Sequence, residues 1–251
     1  MSSKLLVAKV VVSNETLPSE TAILDALRRS QPETDEIGPI QHQSELLIFP
    51  FGGDMAAISL LAEPLPPRER DAACAAAWYW PDAAQTLVSQ QAQVLVGVLP
   101  ESGDRIGAAL RLTALASVVA ETSASLGVFW GPSCLIHAPN AFATYAQQMS
   151  RQALPLYLWI DFHVDADAQG THSLYTRGLA VFQSMEIEVY GSSKSPQELV
   201  ARVYDIVHYV LAKNAVLHEG ETIGRTNEER ISVHLGPSRQ DLEARVIQLE
   251  I

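Results

Sequence analysis

The region between residues 122 and 160 contains a single Asp, Glu, Lys or Arg, which is Arg151. A region of this kind either crosses a membrane or lies inside a folded domain. Gly131-Pro132, Pro139-Asn140 and Pro155 interrupt it before an apolar span of ~20 residues can form, and a spanning helix needs that length. We therefore expect buried strands and a short helix here, with a partly exposed self-association surface as the alternative.

The predicted elements up to residue 99 follow the order β-α-β-β-α-β, which is typical of the ferredoxin-like arrangement. Strands are indicated by runs of Val, Leu and Ile, and helices by apolar stripes at helical spacing. Gly52-Gly53-Asp54 predicts a hairpin turn, because glycine accepts positive φ. The predicted strands are 5–12, 45–51, 55–61 and 94–99, and the predicted helices are 19–29, 68–78 and 83–91.

The second half repeats this plan after a linking helix at 104–121. Its best-defined element is a helix that begins after Ser195, because Ser195 and Glu198 form a capping box and Pro196 occupies the first helical position. The other predictions are a helix at 140–149 and strands at 126–130, 134–137, 156–163, 179–190, 231–235 and 244–249. From element order alone, we expect an α+β protein in which two ferredoxin-like β-α-β-β-α-β halves, 1–122 and 123–251, pack into one compact unit.

The net charge of −12, from 17 Lys and Arg against 29 Asp and Glu, indicates the class of partner. An acidic protein repels phosphate and anionic lipid, so we expect neither nucleic acid nor a membrane as partner. It attracts a basic protein, although acidity also serves solubility alone. The chain has only two cysteines and no signal-peptide pattern at its start, so we expect a cytoplasmic protein.

The most suggestive polar cluster alternates Asp161, His163, Asp165 and Asp167. Alternate positions of a strand share a face, and carboxylates with an imidazole could surround a divalent cation. Alternate Cβ atoms lie ~6.6 Å apart, however, so four of them cannot converge on one ion without a turn. The segment that begins at Asp165 also resembles the first half of a calcium-binding EF-hand loop. Its twelfth position is Thr176, however, where such a loop has a Glu that binds the ion through both carboxylate oxygens. We interpret Asp161 and His163 as candidate ligand-binding residues on a strand that enters a polar loop.

Two further pairs are candidate ligand-binding residues. Glu186 and Glu188 share one face of predicted strand 179–190, which suits acid–base chemistry, although a solvent-facing strand shows the same pattern. Glu221 and Thr222 lie between Gly220 and Gly224. That short segment predicts a tight turn, with a backbone nest that binds an anion as the alternative.

The chain lacks the familiar catalytic and cofactor motifs, including GxGxxG, GxxxxGK[ST] and GxSxG. Cys134 and His137 are three positions apart on a predicted strand and would face opposite sides, so we expect a buried structural cysteine. The other histidines show no zinc-binding spacing. We therefore predict no catalytic residue, no metal and no cofactor.

Five segments of the C-terminal half occur in a recognisable order, namely 126–130, 176–182, 185–189, the end of the capped helix at 209–211, and 220–224. In this order of segments the chain resembles the bacterial domain-of-unknown-function family 4261 over roughly residues 123–235. This resemblance implies an α+β domain of unassigned role, sometimes found near contact-dependent competition and secretion genes. The chain has Phe182-Gln183 where the family usually has Phe-Gly.

Two functions fit these observations. The first is a non-enzymatic, cytoplasmic protein-binding module, such as a bacterial immunity or secretion-accessory protein that binds a basic toxin or effector. The alternative is an enzyme or small-ligand-binding protein with a carboxylate and histidine site between the two halves. We favour a monomer over a homodimer for two reasons. Packing of the two halves against each other would bury the apolar surface of the charge-poor region, and the net negative charge opposes the association of two copies.

Overall fold

A computed structural model of the chain describes residues 5–30, 37–43, 45–101, 103–226 and 229–251. The chain divides into two compact units, Met1–Leu158 and Trp159–Ile251. The described residues form seven α-helices and two sheets. The protein is therefore α+β, as the order of predicted elements indicates.

The first unit is built on an antiparallel sheet of seven strands. The strands are β1 Leu6–Val12, β2 Gln41–Gln43, β3 Leu46–Phe51, β4 Asp54–Leu61, β5 Ala92–Leu99, β6 Ser125–Trp130 and β7 Leu135–His137. Their order in the sheet is β2-β3-β4-β5-β1-β6-β7. The Val-rich β1 pairs antiparallel with both β5 and β6 and is buried along most of its length. β1 therefore lies between two strands that come much later in the chain.

One largely buried helix of this unit contacts three strands and two other helices. The helices are α1 Glu20–Ser30, α2 Pro67–Ala76, α3 Ala83–Thr86, α4 Arg105–Thr122, α5 Pro139–Gln148 and α6 Leu156–Trp159, the last of which ends at the division between the units. The Ala-rich α4 contacts β1, β5 and β6 as well as α1 and α5. A helix that is apolar on all sides belongs in a core. Within the described ranges, no helix is both long and apolar enough to cross a membrane.

A buried ion pair fixes α4 to the β3–β4 hairpin. The two turn residues, Gly52 and Gly53, both have positive φ, which the tight hairpin requires. Asp54 follows at once, and its fully buried carboxylate accepts hydrogen bonds from Nε and Nη2 of Arg111 and from the backbone N–H of Glu101. The hairpin predicted from the glycines is thereby confirmed and held against the core helix.

The second unit is a mixed six-stranded sheet with one long helix. Its elements are β8 Asp161–Ala166, β9 His172–Arg177, β10 Ile187–Ser192, α7 Pro196–Lys213, β11 Thr222–Ile223, β12 Ile231–Pro237 and β13 Arg245–Glu250. The strand order is β11-β12-β13-β10-β9-β8, and only the β10–β13 pair is parallel. The predicted capping box is present: Ser195 Oγ accepts from the Glu198 N–H, and the Glu198 carboxylate accepts from the Ser195 N–H.

The ferredoxin-like arrangement of two halves is not confirmed. That motif needs a split β-α-β unit with parallel strands, whereas β3, β4 and β5 form an antiparallel meander and β1 adds antiparallel to β5. The division between the units falls after Leu158 instead of after residue 122, because β6 and β7 complete the first sheet.

Two apolar runs predicted as long strands begin as helical turns. The run at 156–163 starts with α6 and becomes a strand only at Asp161, and the run at 179–190 starts with the 3₁₀ turn Leu179–Phe182. Gln183 then takes a left-handed conformation, and β10 begins at Ile187. The periodicity of a short apolar run does not show whether the run forms a helix or a strand. In both runs, the neighbouring turn-forming residues favour a helical turn before the strand.

We expect Asp54→Ala to lower the free energy of unfolding by ~3–5 kcal/mol, because it leaves the buried Arg111 guanidinium without the Asp54 carboxylate. Urea denaturation followed by tryptophan fluorescence measures the loss. The matched control is Asp71→Ala, which removes a carboxylate whose side chain is 67 % exposed and should change the free energy by less than about 0.5 kcal/mol. Equal losses in the two variants would contradict a structural role for the Asp54–Arg111 pair.

Candidate functional site

A row of polar side chains crosses the second sheet from one strand to the next. Residues that oppose each other in neighbouring strands project to the same face. The row consists of His163 on β8, Tyr175 on β9, Glu188 on β10, Gln248 on β13 and His234 on β12, each in register with the next. We call the face of the sheet that carries this row the polar face.

The opposite face of the sheet is apolar and packs against α7. Its corresponding row is Val164, Leu174, Val189, Leu249 and Val233. The Phe162 ring lies 5.9 Å from the Tyr204 ring of α7, centroid to centroid. The polar face is therefore the side of this sheet that does not pack against α7.

At the β8–β9 end of the polar face, the charged groups are paired with each other. Arg177 Nη2 donates to Asp161 Oδ2 at 2.9 Å across the two strands. His163 lies 3.2 Å from Asp165 Oδ1 and stacks on Tyr175 with 4.6 Å between ring centroids. Burial raises the pKa of Asp161, and the Arg177 charge opposes that rise. These groups form a cross-linked polar surface, without a nucleophile held by a base.

At the centre of the polar face, Glu188 fastens a loop to the sheet. Its buried carboxylate accepts hydrogen bonds from the Tyr190 hydroxyl, the Ser238 hydroxyl and the Arg239 N–H. The Ser238 Oγ in turn accepts from the N–H groups of Gln240 and Asp241, each at 3.0 Å. The contacts with Ser238 and Arg239 hold residues 238–241 in place, so Glu188 has a structural role.

Next to this loop, the polar face carries a shallow groove of about 480 Å³. The Arg239 guanidinium covers the Tyr190 ring at 3.8 Å from its centroid. His234 lies between the carboxylates of Glu219, at 3.1 Å, and Glu250, at 3.6 Å. The groove is lined by Tyr190, His234, Gln248, Leu249, Glu250 and Ile251. In the described part of the chain, no group of three or more His, Cys, Asp or Glu is placed to hold a metal ion.

Four of the six candidate residues share the polar face but lie far apart. Thr222 on β11 opposes Ser232 on β12, which places it on the same face as the polar row. At ~4.8 Å per strand, the outer strands β8 and β11 of this sheet are ~24 Å apart. No small molecule contacts the whole set, so the face suits an extended partner. The four residues are Asp161, His163, Glu188 and Thr222.

The remaining candidates, Glu186 and Glu221, stabilise turns. Glu186 precedes β10, and its carboxylate accepts hydrogen bonds from the N–H groups of Gly178 and Ala180 and from the Thr176 hydroxyl. The expected Glu186–Glu188 pair on one strand face is therefore not formed. The Glu221 carboxylate accepts from the His218 N–H at 2.9 Å, which fits the tight turn predicted for 220–224.

A second surface, in the first unit, carries exposed aromatic side chains. Trp78 is 79 % exposed and meets Tyr79 edge to face, with 5.8 Å between ring centroids. Tyr145 on α5 and Tyr157 on α6 are also exposed, and their rings lie 6.3 Å apart. We call Trp78, Tyr79, Tyr145 and Tyr157 the aromatic surface. Sequence reasoning missed it, although the consecutive aromatics at 78–80 at the end of a predicted helix were a signal.

His137 is buried next to Tyr79 and connects it to α5 and α6, the helices that carry Tyr145 and Tyr157. It stacks on Tyr79 at 5.4 Å and contacts Phe142, which lies one turn before Tyr145 on α5. Burial lowers the pKa of His137 to about 4, and its hydrogen bond to the Leu158 carbonyl opposes this change. His137 is therefore neutral at physiological pH and serves as a support for the exposed rings.

The expectation of a buried Cys134 is wrong, because its side chain is exposed. Cys134 follows the 3₁₀ turn Gly131–Ser133 and adopts a left-handed conformation, with φ of 57°. This conformation breaks the strand alternation on which the expectation rested. The Cys134 thiol donates to the Gly131 carbonyl at 3.7 Å, and His137 has a separate partner at Leu158, so the two residues form no catalytic pair.

Comparison with known proteins connects the second unit to one family. The model of a family described as Domain of unknown function (DUF4261) matches residues 175–250. This match confirms the predicted resemblance over a segment of the chain. The segment begins within β9, at Tyr175, and extends through β13, so it includes four of the five residues of the polar row, whereas β8 precedes it. No curated protein and no solved structure gives a significant match.

We expect Tyr190→Phe to remove a loss of stability that occurs at high pH. Burial, and then the hydrogen bond to the Glu188 carboxylate, raise the pKa of Tyr190 to about 12. Because the folded protein retains this proton longer than the unfolded chain does, stability present below pH ~10 is lost as the pH rises towards 12. Urea denaturation at a series of pH values measures this slope. Tyr209→Phe is the control, and an equal change in both variants would contradict the assignment to Tyr190.

We expect the free energy of unfolding to fall by up to about 3 kcal/mol as the pH is lowered from 6.5 to 4. In this range the unfolded chain binds a proton at His137 and the folded chain does not. His137→Gln should remove most of this slope in pH-dependent denaturation. The control is His42→Gln, since the His42 side chain is 54 % exposed and should leave the slope in place. An unchanged slope in the His137 variant would exclude this residue as its source.

Proposed function

We propose that the chain is a non-enzymatic protein-binding module that holds its partner on the aromatic surface. The observation that carries the proposal is the exposure of Trp78, Tyr79, Tyr145 and Tyr157 together on one unit. Trp and Tyr are enriched among the few residues that supply most of the binding energy at protein interfaces. A Trp that is 79 % exposed contributes little to the core, and its large apolar area becomes useful when a partner covers it.

The chemistry of the surroundings indicates a partner with a basic face. The region between residues 122 and 160, which supplies Tyr145 and Tyr157, contains only Arg151 as a charged residue. Ring faces that are free of local charge attract Lys and Arg side chains through cation–π contacts. The net charge of −12 attracts the same partner at long range and increases its rate of association.

An enzyme or small-ligand protein that acts through Asp161, His163 or Glu188 receives less support. Asp161 is paired with Arg177, and Glu188 holds the 238–241 loop. The candidate residues on the polar face also spread over ~24 Å. A binding module needs a complementary surface and no such convergence of groups.

In a bacterial cytoplasm, a module of this type would act as an immunity or secretion-accessory protein. It would neutralise or escort a basic toxin or effector, as a monomer that covers part of the partner's surface. Inhibition by coverage depends on shape, buried aromatic anchors and opposite charge, which are the properties that the aromatic surface and the net charge supply.

We expect Trp78→Ala and Tyr157→Ala each to weaken partner binding about 30-fold, which corresponds to ~2 kcal/mol for an interface anchor. The wild-type chain first captures its partner from an extract of the source organism at low and at physiological salt. The partner is identified by mass spectrometry and purified, and its affinity for each variant is measured by calorimetry. Tyr209→Ala is the matched control, because Tyr209 is an exposed tyrosine on α7.

Two results would contradict the proposed function. The first is that no protein is captured at either salt concentration. The second is that the Trp78 and Tyr157 variants bind the purified partner as tightly as the Tyr209 control does, which would place the interface elsewhere.

A further inference from the structure

The four outer strands of the two sheets differ in length. Three of them are very short: β2 and β7 have three residues each, and β11 has two. β8 has six residues, Asp161–Ala166, and forms one edge of the second sheet. Short outer strands are a common defence against unwanted pairing with another chain, and β8 lacks this defence.

β8 also lacks several other features that blunt edge strands, and the charged side chains that it does carry are Asp161 and Asp165. Its sequence, DFHVDA, contains no Lys, Pro or Gly. Its register with β9 is regular from Asp161↔Arg177 to Ala166↔His172, without a bulge. Among the described residues, β9 is the strand that pairs with β8, and no strand lies on its other side. The edge is therefore regular enough to act as a template for another strand.

The hydrogen-bond pattern identifies which backbone groups point to the open side. The Asp167 N–H donates to the Thr171 carbonyl at 2.9 Å, which continues the β8–β9 register by one pair. In an antiparallel ladder, pairs that exchange hydrogen bonds alternate with pairs that do not. His163 and Asp165 therefore bond to β9, whereas the N–H and C=O groups of Val164 and Ala166 point away from it. These two residues offer four hydrogen bonds to an added strand.

The side chains of β8 specify what an added strand would carry. On the polar face, β8 presents Asp161, His163 and Asp165, and Asp165 is 62 % exposed. Asp167 follows at the exposed hairpin turn. On the other face, β8 presents Phe162 and Val164. Opposite charges in neighbouring strands attract, and apolar side chains pair on the face that packs against the core.

We propose that β8 accepts an added β-strand from a protein partner, and that this strand alternates Lys or Arg with apolar residues. Backbone hydrogen bonds to Val164 and Ala166 supply affinity, and the exposed carboxylate of Asp165 selects the basic side chains. This inference rests on the proposed protein-binding function and names a second mode of contact. The mode uses an edge of the second unit, apart from the aromatic surface of the first.

The probe is an acetylated and amidated octapeptide of alternating Lys and Val, labelled for fluorescence anisotropy. We expect it to bind the full chain, and in NMR hydrogen exchange we expect it to slow exchange of the Val164 and Ala166 amides. Val164→Pro should weaken binding at least tenfold, because it removes an outward N–H and no bond to β9. Val164→Thr is the matched control that keeps the N–H and the β-branched shape, and it should bind as the wild type does.

Charge and folding are tested separately. Asp165→Asn should weaken binding several-fold and reduce its salt dependence, and an alternating Glu and Val peptide should not bind. If Val164→Pro disturbs the sheet, as judged by circular dichroism, the wild-type chain is tested with a peptide N-methylated at alternate residues. Loss of binding by the N-methylated peptide supports strand addition as directly as the proline variant does.

Several results would overturn this inference. They are absence of peptide binding, equal binding by the Val164→Pro variant or by the N-methylated peptide, binding of the Glu-containing peptide, and protection of amides away from β8. Self-association of the wild type that Val164→Pro abolishes would make a second copy the occupant instead. Because Trp78→Ala leaves β8 intact, that variant should bind the peptide normally, so failure of this inference is distinguishable from failure of the proposed function.

Discussion

In the second sheet, successive side chains along each strand point to opposite faces, and this alternation governs what the second unit presents to solvent. One face must be apolar throughout, because α7 covers it, and Leu174, Val189 and Leu249 meet that requirement. Every residue in between is then directed to the other face, whatever its chemistry. The polar row from His163 to His234 follows from the packing of α7, and its breadth follows from the number of strands.

Three carboxylates hold the backbone in place, and two of them, Glu186 and Glu188, resemble catalytic groups in the sequence. Glu186 binds the N–H groups at the start of a 3₁₀ turn, Glu188 holds a loop, and Asp54 fixes a hairpin to the core helix. Each replaces hydration with hydrogen bonds from groups that burial would otherwise leave unsatisfied. A carboxylate used in this way has little capacity left for a substrate, which is why the proposed function depends on other surfaces.

The sequence predicted the elements whose signals are local. The capping box at Ser195, the turn at Gly52-Gly53 and the Val-rich β1 each depend on a few adjacent residues, and each is present. Strand order and the division between units depend on which distant strands pair, and element order alone does not contain that information. For the candidate site, alternation placed Asp161 and His163 on one face correctly. It failed for Glu186, because the chain turns at Gln183 before the strand begins.

The central position of β1 has a consequence for synthesis of the chain. Both of its neighbours, β5 and β6, are encoded far downstream, at Ala92–Leu99 and Ser125–Trp130. At ~5–20 residues per second, a ribosome needs on the order of ten seconds to reach β6 after it has made β1. Until β5 has been made, this apolar, Val-rich segment has neither of its neighbouring strands, and unpaired apolar strands of this kind are prone to aggregation. The pace of translation, as well as the final packing, therefore controls how safely the first unit folds.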